Sequence, residues 1–458
     1  MPPEPQQKAP QAYRPAGKLI DLGPDFWDPV KAADFPQTVI RYRNDRAAAE
    51  VGLDTLTDEE WVRHFGRFDP LPGTLPEPLA LRYHGHQFRV YNPDIGDGRG
   101  FTFAQLRDDR GRLMDLGTKG SGQTPYSRFG DGRLTLKGGV REILATEILE
   151  ALNVPTSRTF SLIETGEALE RGDEPSPTRS AVMVRLSHGH IRIGTFQRLA
   201  YFGDEANMRR LVDYVLRELY SEEPGDEPAL RLLDLVLDRT ALLAARYMAA
   251  GFVHGVLNSD NINITGESFD YGPWRFAPIW DVNFTAAYFD HAGLYGFGRQ
   301  PEAIHWDAMQ LAASLRLIAE SDPLIALLEQ FGSRFQSRVA SALLWRLGLK
   351  ARSPDEDRAL VQSLERTLRA TGVELHRFFH DTFARALPES YGEDWAEFRN
   401  LAAAYQPRKE RGAFFAGEPC GMLIDEVEAI WSPIAESDDW SRLYGKIEQV
   451  RAMGEALR

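Results

Sequence analysis

The chain has 458 residues, of which 43% are hydrophobic and 26% charged, and its formal net charge is −14. This composition is typical of a globular protein with room for two or three domains, and it contains no run of about 20 apolar residues that would predict a membrane span. The negative charge argues against a nucleic-acid partner, because phosphate-rich partners need a basic surface.

The first 20 residues are rich in Pro and Gln and show no periodic apolar pattern, which predicts a flexible extension over residues 1–20. They contain neither the apolar segment of a signal peptide nor the Arg- and Ser-rich pattern of a transit peptide. The single cysteine, Cys420, cannot form an internal disulfide. These features together predict a cytoplasmic protein.

A strand-rich lobe is predicted over residues 21–198. The segments GRGFTFAQLRD and GRLMDLGTKG alternate in polarity around DDRG and predict a β-hairpin. The next segment, KGGVREILATEILEALNVP, has apolar residues at helical spacing and predicts a helix that ends near Asn153. A second pair of strands, TFSLIETGEAL and SAVMVRLSHGHIRIG, is predicted on either side of a polar insert.

The pattern then becomes helical. MRRLVDYVLRELY and PALRLLDLVLDRTALLAARYMAAG have apolar residues at three-to-four spacing, which predicts a helical lobe over residues 199–350. Residues 351–458 are helical and charged and form a predicted tail whose role stays open. The predicted fold class is therefore a two-lobed α+β enzyme.

The segment FVHGVLNSDNINITGESFDYGP, residues 252–273, has the outline of a protein-kinase catalytic loop. Asn261 follows His254 by seven residues and Asp270 follows Asn261 by nine, in the order in which kinases place their two metal ligands. A kinase has its catalytic Asp two residues after the His, where this chain has Val256. Asp260 is the candidate general base, because it directly precedes Asn261.

Residues upstream of this loop supply glycine-rich turns and positive charge suited to a polyphosphate. Between Arg82 and Glu142 the chain has eleven Lys and Arg residues and seven Asp and Glu residues. Lys119, at the end of a predicted strand, and Glu142, on the next helix, resemble the paired Lys and Glu of kinases. The candidate nucleotide-binding residues are Gly96, Gly98, Arg99, Lys119, Asp131, Gly132, Glu142, Arg185, Arg192 and Asp270.

Together these motifs resemble the selenoprotein O family of kinase-like proteins. The resemblance spans about residues 80–350, and its motifs are HGHQF at 84–88, GDGRG at 96–100, TPYSRFGDGR at 124–133, RE at 141–142, HGVLNSDN at 254–261 and DYGP at 270–273. It implies a protein-kinase-like fold with a strand-rich N-lobe and a helical C-lobe. It also implies that ATP binds in a flipped orientation and that AMP is transferred to Ser, Thr or Tyr hydroxyls of other proteins, with release of pyrophosphate.

The resemblance also implies individual roles. Asp260 would accept the proton, Asn261 and Asp270 would hold Mg²⁺ or Mn²⁺, and Glu142 would steady Lys119, while the other candidate residues would bind ATP. One position departs from the family, since Ala286 stands where some bacterial members have a cysteine able to form a disulfide. Redox control through that disulfide is therefore not expected.

Two other interpretations remain open at this point. An atypical kinase would transfer the γ-phosphoryl group, with Asp260 as a relocated base. A catalytically silent pseudokinase scaffold would bind ATP without turnover. The phosphate that is retained on an acceptor distinguishes the first from AMP transfer, and the absence of turnover identifies the second.

Overall fold

Thirteen strands and fourteen α-helices are formed by residues 12–172 and 174–458, the part of the chain that the computed structural model describes. The strands are β1 (Pro15–Ala16), β2 (Trp27–Pro29), β3 (Val39–Arg43), β4 (Leu79–Leu81), β5 (Gly85–Gln87), β6 (Val90–Asn92), β7 (Thr102–Arg107), β8 (Leu113–Lys119), β9 (Leu134–Thr135), β10 (Arg158–Leu169), β11 (Thr178–Ser187), β12 (Phe252–Val253) and β13 (Arg275–Phe276). The helices are α1 (Asp45–Glu50), α2 (Asp58–Phe65), α3 (Leu136–Ala151), α4 (Ile193–Phe202), α5 (Glu205–Tyr214), α6 (Pro228–Ala250), α7 (Gln300–Leu315), α8 (Ser321–Leu328), α9 (Phe331–Leu347), α10 (Pro354–Thr371), α11 (Leu375–Thr382), α12 (Ala396–Ala402), α13 (Ile424–Ser437) and α14 (Ser441–Leu457).

The first lobe is built on an antiparallel sheet with the strand order β2-β4-β7-β8-β11-β10-β3. The predicted hairpin is confirmed as β7–β8, and the second predicted strand pair is confirmed as β10–β11. Met183 of β11 packs with α3, whereas Val182 and Val184 pack with the aromatic cluster on the opposite face. The sheet is therefore buried on both faces, which fixes the register of its strands.

The helix predicted after β9 is confirmed as α3. Thr135 caps it, since its hydroxyl oxygen accepts a hydrogen bond from the Gly138 amide at 3.1 Å. Asn153, just beyond its end, has a positive φ of 61°, a backbone conformation that Asn tolerates. This helix lies on the sheet and carries Glu142 toward strand β8.

The second lobe is helical and is organised around α6, which packs against α7 and α9. Gly251 ends α6 in the left-handed conformation, and the chain then enters β12 and the predicted catalytic loop. Within the described ranges, no helix is both long enough and apolar enough to cross a membrane. A sheet lobe that carries α3, followed by a helical lobe, is the predicted two-lobed, protein-kinase-like α+β architecture.

The sequence predicts a flexible extension over residues 1–20, but residues 12–20 pack against the sheet. Pro15 and Ala16 pair with Leu106 and Gln105 of β7, and the buried Leu19 donates its amide to Gln105 Oε1 at 2.7 Å. The sequence gives no periodic signal here because the partners are about 90 residues away and the strand has two residues. Residues 1–11 lie outside the described part of the chain.

Candidate active site

A polar cavity of about 740 Å³ lies between the two lobes. It is lined by eleven of the twelve predicted site residues, namely Gly96, Gly98, Arg99, Lys119, Asp131, Gly132, Arg185, Arg192, Asp260, Asn261 and Asp270. The twelfth, Glu142, is buried and accepts a hydrogen bond from Lys119 Nζ. Residues that are up to 174 positions apart in sequence thus meet at one cavity.

Lys119 and Glu142 form a buried ion pair between β8 and α3. Burial lowers the pKa of Lys119, while the Glu142 carboxylate favours its charged form. Lys119 Nζ also lies 3.7 Å from Asp270 Oδ1. The lysine is therefore held at the cavity wall by one carboxylate on each side.

Asp270 lies at the centre of a cluster of cations. Arg185 Nη1 donates to Asp270 Oδ1 at 2.5 Å, and Arg192 Nη1 donates to Oδ2 at 2.9 Å. Although burial opposes ionisation, Arg185, Arg192 and Lys119 hold the pKa of Asp270 well below its usual range. Asp270 has a positive φ of 59°, which is uncommon for a residue other than glycine and typical of functional sites.

Arg192 connects Asp260 and Asp270 to the glycine-rich turn that contains Gly96 and Gly98. Besides Asp270, it donates to the Asp260 carbonyl oxygen at 3.0 Å and to Asp97 Oδ1 at 3.1 Å. Asp97 Oδ2 accepts a hydrogen bond from the Leu81 amide at 3.0 Å, which fixes the carboxylate to the sheet. The sequence prediction missed Asp97, although it lies between the two predicted glycines of this turn.

Asp260 is buried on the short helical turn Ser259–Asn261. Its Oδ1 atom is shielded from solvent and has no hydrogen-bond partner among residues 12–172 and 174–458, while its Oδ2 atom lies 3.5 Å from Gln87 Nε2. Burial raises the pKa of Asp260 to about 6, although the charge of Arg192 acts in the opposite direction. A carboxylate with one free oxygen and a pKa near neutrality is suited to accept a proton.

The hairpin β5–β6, which is separate from the main sheet, supports this turn. Its tip residues, Phe88 and Arg89, both have positive φ (50° and 63°), as a two-residue type I′ turn requires. The His86 amide donates to Ser259 Oγ at 2.7 Å, and the Phe88 amide donates to Asn258 Oδ1 at 3.0 Å. The HGHQF motif at 84–88 therefore holds residues 258–260 in position through these hydrogen bonds.

Gly85 of the same hairpin touches the candidate base. A Cβ atom at this position would lie 2.8 Å from Asp260 Cβ and 2.9 Å from Asp260 Oδ1, which leaves no space for a side chain. The sequence prediction did not include Gly85 or Gln87. The only signal available was the glycine between two histidines in HGHQF, and it does not name the partner.

Asn261 and Asp270 fit a divalent cation by the chemistry of their donor atoms. Asn261 Nδ2 donates to the Val256 carbonyl oxygen at 3.0 Å, which leaves the amide oxygen as a potential ligand. Amide and carboxylate oxygens are the ligands that Mg²⁺ and Mn²⁺ prefer. Both residues line the cavity, as does Val256, at the position where a kinase has its base.

Comparison with known proteins gives one family. The model of the family described as "Protein adenylyltransferase SelO" matches residues 11–410. A protein of Synechococcus elongatus named "Protein nucleotidyltransferase YdiU" is 44% identical over 476 aligned residues, which cover 97% of this chain and 95% of that protein. A protein of the same name from Gloeobacter violaceus is 45% identical, with coverage of 96% and 95%.

Among solved structures, the Toxoplasma gondii specific rhoptry antigen kinase domain is similar with a TM-score of 0.26 and 11% sequence identity, over 63% of this chain and 83% of that chain. A likeness of this size carries no inference about fold or function.

Proposed function

The chain belongs to the protein adenylyltransferase SelO family, and from this membership we propose that it transfers AMP from ATP to a Ser, Thr or Tyr hydroxyl of a protein. Its relatives in Synechococcus elongatus and Gloeobacter violaceus are named protein nucleotidyltransferases. A cytoplasmic setting, in which ATP and protein acceptors are both available, is part of this proposal.

The observation that carries the proposal is the environment of Asp260. Val256 occupies the position of the kinase base and cannot accept a proton. Asp260 lines the same cavity, and its Oδ1 atom accepts no hydrogen bond from any described residue. Arg192 and the hairpin β5–β6 hold its backbone and its neighbours in place. The cavity thus keeps a candidate base, but at a different position from that of a kinase.

The positive side chains of the cavity suit the leaving group. Lys119, Arg185 and Arg192 place three cations around Asp270, and Arg99 also lines the cavity. In the proposed reaction these groups would neutralise the charge that develops on pyrophosphate. A bound Mg²⁺ or Mn²⁺, held by Asn261 and Asp270, would supply further neutralisation of the phosphate oxygens.

The proposed transfer is a single displacement at the α-phosphorus. The acceptor hydroxyl oxygen forms a bond to this phosphorus, and the bond from the phosphorus to the oxygen that bridges to the β-phosphate breaks. Pyrophosphate leaves with the electron pair, and the hydroxyl proton passes to the Asp260 carboxylate. The product is an AMP phosphodiester on the acceptor.

The test uses the purified full chain with Mg²⁺ or Mn²⁺ and ATP labelled at either the α- or the γ-phosphate. We expect α-label to be retained on protein and γ-label to be released as pyrophosphate. Retention of γ-label would instead show a kinase with a relocated base, and turnover of neither label would support a silent scaffold.

Substitutions at Asp260 and Asp270 test whether the labelling depends on the candidate active site. Asp260→Asn removes the proton acceptor and should lower labelling by at least about 100-fold, the usual contribution of general-base catalysis. Asp270→Asn should do the same by removing a metal ligand. Asp226→Asn, an exposed carboxylate outside the cavity, is the matched control. Labelling that persists in both site variants would disprove the assignment.

A further inference from the structure

A second polar cavity, of about 510 Å³, shares no lining residue with the candidate active site. We call it the rear cavity. Its walls come from residues 153–156 after α3, residues 219–221 before α6, the face of α6 that carries Arg239 and Arg246, and residues 265–267. It therefore lies where both lobes meet, in a place that the proposed transfer does not use.

The lining of the rear cavity contains more arginines than carboxylates, in a protein that is acidic as a whole. Six arginines and three glutamates line it. Two of the glutamates are neutralised by arginines, because Glu50 pairs with Arg158 and Glu150 pairs with Arg46. The third, Glu267, accepts a hydrogen bond from the His188 amide at 2.7 Å. Three of the lining arginines are engaged as well, since Arg158 pairs with Glu50, Arg112 with Asp108 and Arg110 with Asp109. Among the described residues, the lining arginines without an ion pair are therefore Arg239, Arg246 and Arg458, and they carry the positive charge in excess.

That excess is concentrated on α6. Arg239 and Arg246 are seven residues apart, so they lie on the same face of the helix. Neither has an ion pair or a hydrogen bond to any described residue. Burial lowers the pKa of Arg246, and the neighbouring charges of Arg338 and Arg239 lower it further. Arg239 is exposed and Arg246 is half-buried, so two like charges line the same cavity without a counter-charge among the described residues.

A third polar group in the lining also lacks a partner. His188 lines the rear cavity, and its Nε2 atom is buried without a hydrogen-bond partner in the described parts of the chain. Buried polar atoms are nearly always satisfied, so the orphaned Nε2 atom is accounted for either by a water molecule or by a bound group. Burial and the nearby charge of Arg112 lower the pKa of His188 to about 4, so the ring is neutral at pH 7 and offers one N–H or one acceptor nitrogen.

We propose that the rear cavity is a second binding site for a small phosphate-bearing molecule, with the phosphate on Arg239 and Arg246. Guanidinium groups bind phosphate through two parallel hydrogen bonds, and an anion would supply the absent counter-charge. The volume is in the range of small-molecule sites. Val154, Pro155 and Leu242 also line the cavity and offer an apolar surface to a nucleobase.

The rear cavity is connected to the candidate active site by a short segment of the chain. Residues 265–267 line the rear cavity, and Asp270 lies three residues further on. Ser268, between them, exchanges backbone hydrogen bonds of 2.9 Å with Pro155 and Ser157. A ligand in the rear cavity would therefore contact the segment that positions Asp270.

The test counts bound ligand by equilibrium dialysis of the full chain against labelled ATP, AMP or pyrophosphate at concentrations up to millimolar. We expect two equivalents of at least one probe on the wild type and one equivalent on Arg239→Gln/Arg246→Gln. Loss of two charge-assisted contacts should weaken the second site by at least about 100-fold. If two equivalents of pyrophosphate but one of AMP bind, the ligand of the rear cavity is an inorganic phosphate compound. If two equivalents of AMP but one of pyrophosphate bind, the ligand is a nucleotide.

Arg209→Gln/Arg231→Gln is the matched control, because it removes the same charge from α5 and α6 outside the rear cavity. One equivalent of every probe on the wild type, or two on the Arg239→Gln/Arg246→Gln variant, would overturn the proposal.

Hydrogen exchange on the wild type gives an independent result that needs no variant. Pyrophosphate or AMP should slow exchange in residues 219–221 and 265–267, and unchanged exchange there also overturns it.

Discussion

Gly85 shows how closely the hairpin β5–β6 approaches the candidate base. A methyl group at this position would overlap Asp260, with its Cβ atom 2.8 Å from Asp260 Cβ. Gly85→Ala should therefore move the Asp260 carboxylate while leaving Lys119 and the glycine-rich turns in place. We expect kcat for labelling to fall by about 100-fold, as for other small displacements of catalytic groups, with little change in KM for ATP.

Gly445→Ala is the control for this change, because a Cβ atom at Gly445 meets no other atom within 4 Å. It should leave both constants unchanged. A Gly85→Ala enzyme with normal kcat would mean that the position of Asp260 does not matter for the transfer.

At the same scale, the sequence identifies residues whose order and spacing form a motif. His254, Asn261 and Asp270 follow one another along a single loop, so their relation is local and readable. Gly85, Gln87 and Asp97 act through partners 95–175 residues away, and no spacing rule connects them to the catalytic loop. Which residues meet at the cavity was therefore predictable, whereas the residues that hold them in position were not.

At the scale of secondary-structure elements, the sequence predicts the helices and strands that have a clear apolar periodicity and misses those that are too short to have one. Helices α3 and α6 have 16 and 23 residues, and their apolar spacing is unambiguous. Strand β1 has two residues and hairpin β5–β6 has three in each strand, too few for any period to emerge. Such short elements form because a neighbouring sheet or loop supplies the hydrogen bonds.

The segment Lys18–Leu22 tests the structural importance of the region predicted to be flexible. Leu19 is buried against the sheet core, whereas the adjacent Ile20 is 40% exposed. Leu19→Ala should lower the free energy of unfolding by about 2–5 kcal/mol, because it leaves a cavity in the core. Ile20→Ala should lie within about 0.5 kcal/mol of the wild type. Urea unfolding of both variants measures the difference, and equal stabilities would restore the original prediction of a flexible segment.

At the scale of the whole molecule, the C-terminal helices contact α3, which carries Glu142 of the candidate active site, although they do not line its cavity. Helix α14 packs on α3, the helix that carries Glu142. A Cβ atom at Gly454 would lie 3.1 Å from Ala151, so the two helices are close together. Lys137 of α3 also pairs with Glu428 of α13 at 2.8 Å. The tail, to which the sequence assigns no role, therefore covers the outer side of α3.

Arg451 of the tail and Glu147 of α3 form an ion pair that joins the two parts of the chain. Arg451 donates to both carboxylate oxygens of the buried Glu147, at 2.6 and 2.9 Å, and to the Tyr42 hydroxyl at 3.1 Å. Arg451→Ala leaves this carboxylate buried without its main cation, so the free energy of unfolding should fall by about 3 kcal/mol. Because Glu147 lies five residues beyond Glu142 on α3, labelling should also fall. Arg442→Ala, an exposed arginine of the same helix that donates to the Ala429 carbonyl oxygen, is the control for both measurements. If Arg451→Ala unfolds earlier yet labels acceptors at the wild-type rate, the tail stabilises the lobe without positioning Glu142.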